Sequence, residues 1–184
     1  VNDKIFQKQN LIFLESDNWV SSSYGAPPIT ISTPQVLIRN TDSLTFSVVE
    51  ASLKSEFSFN NIKDPFYITL TNFKLPENRS SIKLQDVMNN SIETIEELGV
   101  KNIITKFEKF QTPNEAEGLM IYGSADFPVD KPNQFRKSKY KIFGFINNQD
   151  YKQIFISWEE NDNYIVEIID RIINSIELVK NKTN

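Results

Sequence analysis

Two stretches of this chain place a serine three residues before a lysine: Ser80-Ser81-Ile82-Lys83 and Ser138-Lys139-Tyr140-Lys141. That spacing lets a lysine amine activate a serine hydroxyl for acyl transfer, provided that a K-T-G companion completes the site. No K-T-G occurs here. The first stretch suits a helix N-cap as well, and the second the start of a strand. Glu159, Glu160, Asn161, Asp162 and Asn163 offer oxygens of the kind Ca²⁺ prefers, but the ordered Asp-x-Asp-x-Asp-Gly loop is missing. A polar turn carrying an N-cap accounts for the same residues. Glu115 with Glu117, or Asp126 with Asp130, could supply paired carboxylates for glycoside hydrolysis, which requires convergence on one cleft. Solvated loop charge is the simpler account of all four.

The absences narrow the chemistry further. The chain has no histidine and no cysteine. That removes the commonest general base, the Ser-His-Asp arrangement and the commonest transition-metal ligand. It also removes thiolate nucleophiles, zinc-thiolate sites and disulfides. The five glycines are scattered and form neither a phosphate loop nor a dinucleotide fingerprint. No catalytic residue, metal ligand or cofactor is therefore assigned. The candidate binding residues are aromatic: Tyr122, Phe127 and Phe135, with Phe143 and Phe145 nearby. Such residues are enriched at partner interfaces, and they also fill cores.

Length and composition set the scale. The 184 residues suffice for one domain with a substantial core, and 39% hydrophobic with 24% charged content is that of a globular protein. A net charge of -4 weighs against nucleic acid as a partner, although Arg136, Lys137, Lys139 and Lys141 cluster. No apolar run approaches the roughly 20 residues that span a bilayer. The chain starts at Val1 rather than Met, which leads us to expect a removed leader or lipoprotein segment through which the protein would be tethered to a membrane.

The elements that must position these residues are best defined near the end. Ile165, Ile168, Ile169, Ile172, Ile173 and Ile176 recur at helical spacing and predict an amphipathic helix reaching Leu178. Any of Asn161, Asp162 and Asn163 could cap it. Before it, Tyr140–Asn147 and Tyr151–Trp158 alternate around a short Asn/Asp-rich link and predict an antiparallel hairpin with apolar residues on both faces. A second helical stripe runs Leu84, Val87, Met88, Ile92, Ile95, Leu98, with Ser80 or Ser81 as cap and Gly99 as left-handed terminator. Phe66–Phe73, Ile103–Gln111 and Leu119–Phe127 read as strands, with a turn at Pro113-Asn114-Glu115. Gly123 implies a bulge or a close backbone approach. Residues 128 to 138 read as a loop. Leu11–Leu14 and Leu44–Val48 are short strand candidates, 52 to 64 has Phe57, Phe59 and Ile62 as anchors, and Trp19 is expected to plug the core.

Phe66–Phe73, the helix Leu84–Gly99, the strands Ile103–Gln111 and Leu119–Phe127 and the closing Tyr140–Leu178 unit, taken in that order, resemble the superfamily of photosystem-II PsbP, the Mog-type nuclear-import factor and DcrB-like proteins. Gln153-Ile154-Phe155-Ile156-Ser157-Trp158 and Ile172-Ile173-Asn174-Ser175-Ile176 are similar to its final strand and helix. Asn18-Trp19 resembles its early Pro-x-x-Trp segment, without the Pro. The resemblance covers about two thirds of the chain. It implies an α+β fold, a mainly antiparallel sheet flanked by two long helices, and a non-catalytic role in binding or assembly. In bacteria it implies a small envelope protein, periplasmic or lipid-anchored. Metal-binding histidines of PsbP relatives have no counterpart here. We therefore expect residues 1–184 to form a single PsbP/Mog-like domain with an irregular N-terminal extension of about residues 1–43. The expected partner is a protein, not nucleic acid. A carboxylate- or Ser/Lys-dependent hydrolase and a carrier of a small apolar ligand are the alternatives.

Overall fold

The computed structural model describes residues 19–40, 52–77 and 83–179. In chain order these form β1 (Val20–Tyr24), β2 (Ile29–Thr33), β3 (Ile38–Arg39), β4 (Ser52–Phe59), β5 (Phe66–Lys74), α1 (Leu84–Glu97), β6 (Lys101–Gln111), β7 (Glu117–Pro128), β8 (Phe135–Asn147), β9 (Asp150–Glu159), α2 (Asn163–Ile173) and β10 (Glu177–Leu178). Seven strands make one antiparallel sheet in the order β3-β4-β5-β9-β8-β7-β6. A smaller sheet has the order β1-β2-β10.

Alternate residues of a strand point to opposite faces, and here both faces of the central strands are buried. Phe66, Ile68, Leu70, Ile154, Ile156 and Trp158 belong to one apolar cluster, which α2 closes with Ile165, Ile168, Ile169 and Ile172. Phe73, Tyr151 and Phe155 belong to another, closed by Val87, Met88 and Ile95 of α1. The result is the expected α+β arrangement, an antiparallel sheet between two helices. Isoleucine is a modest helix former, at a cost of a few tenths of a kcal/mol per residue. Burying each isoleucine returns about 1.5–3 kcal/mol, so packing decides that α2 is a helix. Asp162 is its N-cap, accepting from Tyr164 N at 3.1 Å and Ile165 N at 3.2 Å.

The helix stops earlier than its stripe suggests. It ends at Ile173, and Ser175 Oγ then donates to Ile172 O at 2.6 Å while accepting from Ser32 N at 2.8 Å. That pulls the chain onto β2, where β10 pairs. Ile176 remains fully buried, from a turn rather than from the helix. Two other expectations are corrected. Residues 20–39 are not irregular: Tyr24, Ile29 and Ile31 turn into the first cluster, and Tyr24 OH accepts from Leu37 N at 2.9 Å. Residues 135–138 are strand rather than loop, because Arg136 reaches across to the β4–β5 connection, donating to Lys63 O at 3.0 Å and Asp64 O at 2.6 Å. Trp19 is partly buried against the first cluster, and Arg171 lies 4.0 Å above its ring. Leu11–Leu14, Leu44–Val48 and the Ser80/Ser81 cap fall outside the described residues, and Lys83 occupies the N-cap position of α1.

A buried amine joins the two sheets. Lys152 is 4% exposed, and its Nζ donates to Pro27 O and, at 2.9 Å, to Asn72 Oδ1. At the other end of α1, Gly99 has φ 94, the left-handed terminator expected.

Gly123 marks a close backbone approach. A Cβ there would stand 1.8 Å from Ile104 O, whereas a Cβ at Gly144 would meet Met88 Sδ at 2.4 Å. The first obstacle is backbone and the second a flexible side chain. Gly123→Ala should therefore lower the urea midpoint more than Gly144→Ala, with a loss above the roughly 1–3 kcal/mol usual for overpacking. Removing the Arg136 clasp with Arg136→Met breaks two hydrogen bonds to loop carbonyls that water can reach and should cost about 0.5–1.5 kcal/mol in the same assay.

Candidate functional site

The Ser138–Lys141 pair does not assemble. Ser138 and Lys141 lie on β8 three residues apart, so they project from opposite faces. Ser138 is buried, with its Oγ accepting from Arg136 Nε at 3.4 Å. Ser80 lies outside the described residues. Asp162 spends its carboxylate on the α2 cap. Asp126 accepts from Asn102 Nδ2 at 2.6 Å, and Asp130 sits 3.7 Å from Lys63 Nζ, so these two acids engage different partners. Glu115 occupies the 112–116 turn at φ 66, and Glu117 opens β7. Among the described residues no three potential ligands from His, Cys, Asp and Glu gather closely enough to hold a metal ion.

The aromatic candidates separate by burial. Phe127 is fully buried between Tyr140 and Phe155, with ring centroids 6.5 and 6.3 Å away, and serves the core. Phe143 and Phe145 are buried against Phe110. Phe135 is 40% exposed, with Lys101 Nζ 4.5 Å from its ring centre. Tyr122 is half-buried, and its OH donates to Glu108 Oε1 at 2.7 Å. That bond to a carboxylate pushes its phenol above the ordinary range.

Tyr122 stands in an open stretch of sheet. Register places Lys106, Tyr122 and Lys141 side by side on β6, β7 and β8. The next row is Ile104, Ser124 and Lys139, and the one beyond is Lys101, Asp126 and Lys137. All three rows share the face on which α2 packs further along, yet Lys101, Ile104, Lys106, Lys137 and Lys139 are exposed. Five lysines thus meet two carboxylates, Glu108 and Asp126, on the surface of a chain whose net charge is -4. The basic cluster seen in the sequence is split by the pleat. Lys137, Lys139 and Lys141 share this face, while Arg136 points the other way into its clasp. Burial depresses the Arg136 pKa, and the nearby charges of Glu159 and Asp64 oppose that.

A second feature lies beneath α1, where residues of β5, β9 and the helix enclose a cavity of about 40 Å³. At its edge Glu56, paired in register with Thr71, is 4% exposed. Its Oε1 accepts from Asn40 Nδ2, and its Oε2 is buried with no partner. Desolvation raises its carboxyl pKa, outweighing the Asn40 bond. A carboxyl that holds its proton more tightly when folded costs nothing below the unfolded pKa and destabilises as pH rises past it. The melting temperature should therefore fall as pH climbs from about 4.5 toward neutrality. Glu56→Gln should flatten that slope and raise the neutral-pH melting temperature, as thermal denaturation across pH would show.

Comparison with known proteins supports the fold. No family model matches the chain, and no curated protein matches it. Among solved structures it is similar to the cyanobacterial PsbP, CyanoP, of Synechocystis, with TM-score 0.53 and 11% identity over 88% of this chain and 92% of that one. It is also similar to LpqN, a protein involved in cell envelope biogenesis of Mycobacterium tuberculosis, with TM-score 0.50 and 10% identity over 89% of this chain and 93% of that one. Identities this low speak to architecture alone. The helices on either side of the antiparallel sheet, in this order along the chain, give the protein a PsbP-like fold.

Proposed function

We propose that the chain is a non-enzymatic binding domain of a bacterial envelope protein, and that it engages the acidic surface of a partner protein through the open face of β6, β7 and β8. One observation carries the reading. Lys106, Lys139 and Lys141 surround Tyr122 on an exposed sheet surface, with Phe135 and Lys101 at its margin. Strands fix the backbone at these positions, so docking has only side chains to order. Complementary charge accelerates encounter and fixes orientation. Tyrosine supplies apolar area with a polar tip, the combination favoured at interface centres. The envelope location rests on analogy with LpqN, a protein involved in cell envelope biogenesis.

The test is affinity capture from envelope extract with the wild type and with a Lys139→Glu/Lys141→Glu variant, whose fold is checked by circular dichroism. A partner retained by the wild type should be lost by the variant and released at high salt. Equal retention by both would remove this face from the reading. Turnover by the pure protein on a broad hydrolase panel would overturn the non-enzymatic role.

A further inference from the structure

We propose that the cavity beneath α1 is a binding site for a small neutral molecule carrying a hydroxyl or carbonyl group on a short apolar body. The site stands apart from the lysine face, on the other side of the sheet.

The polar groups define the head of the ligand. Thr71 lines the cavity at 4% exposure, and its Oγ1 has no hydrogen-bond partner. A buried hydroxyl left unpaired forfeits the hydration it had in the unfolded chain, and native interiors rarely tolerate one without a water or ligand. Beside it in register is Gln153. Its Oε1 accepts from Ser91 Oγ and from Tyr151 OH, the latter at 2.6 Å. With the oxygen committed to both hydroxyls, the amide NH₂ is the part left to donate into the cavity. Thr71 and Gln153 therefore present two donors that a single acceptor oxygen would satisfy.

Charge and shape define the rest. Among the described residues no cationic side chain lines the cavity, so an anionic head would lose its hydration there without gaining a counter-charge. Phe73, Phe155, Ile95, Ile62 and Leu98 form the apolar walls, and Tyr67, Thr69 and Thr94 also line the cavity. Leu98 is 37% exposed, which leaves an apolar path outward for the body of the ligand. A volume of about 40 Å³ accepts a head of a few heavy atoms, or two to three waters by the usual space a water needs.

The experiment is an amide-shift NMR titration of the full chain with 1-hexanol and, separately, with hexanoate. Hexanol should give saturable shifts centred on Thr71, Ser91, Leu98 and Gln153, and hexanoate should bind at least tenfold more weakly. Thr71→Val should weaken hexanol binding several-fold without lowering the melting temperature. Lys139→Glu/Lys141→Glu should leave it unchanged, which keeps this result separate from that of the lysine face. Shifts that never saturate, equal binding of hexanoate, or an unaltered affinity in Thr71→Val would overturn the proposal and leave the cavity to water.

Discussion

The pairing of β5 with β9 is the constraint from which the rest follows. Its register runs unbroken from Phe66 opposite Trp158 to Lys74 opposite Asp150. Each strand carries large apolar side chains on both faces, so neither face can be left in water. A single layer cannot satisfy such a pair. One helix must lie on each side, and the chain supplies α1 before the β6–β9 meander and α2 after it. The short turns between β6, β7, β8 and β9 permit only antiparallel neighbours, which fixes the strand order outward from the centre.

Cover is not distributed evenly, and function is inferred from where it stops. The smaller sheet and α2 seal the first cluster around Ile154, Ile156, Phe66 and Ile68. They do not extend over the far ends of β6, β7 and β8, where lysines alternate outward and Ile121, Tyr140 and Ile142 alternate inward. The same pleat that gives α1 its platform presents the charged rows. On the other side, α1 lies over Gly144 through Met88, and the polar Thr71–Gln153 row beside it is left under the helix margin.

Much of this was legible in the residues. The two apolar stripes, the Tyr140–Trp158 hairpin, Gly99 and Gly123 all correspond to what the structure shows. The failures have physical reasons. Ser21-Ser22-Ser23 hides a strand because it is short and its outward positions are polar, so alternation shows only at Tyr24. Ile176 keeps helical phase while Ser175 has already diverted the backbone to β2, and spacing alone cannot register that bond. Pro128 and Pro132 made the following segment look like loop up to residue 138, although Arg136 anchors a strand there. Sorting the basic cluster into a three-lysine face and a clasp depended on that strand start. The Thr71 cavity had no signature at all, since a threonine in an alternating strand reads the same whether a helix margin lies above it or water.

Lys152 gives the molecule a built-in reference. Its amine is wedged between the two sheets, bonded to Asn72 and Pro27, while Lys101, Lys106, Lys137 and Lys139 stand in solvent. Amine-selective reagents applied to the folded protein will therefore modify the outer lysines and spare Lys152 until the sheets separate. Footprinting by mass spectrometry can use Lys152 as an internal zero, so that protection elsewhere reports occlusion by a bound molecule rather than loss of reagent.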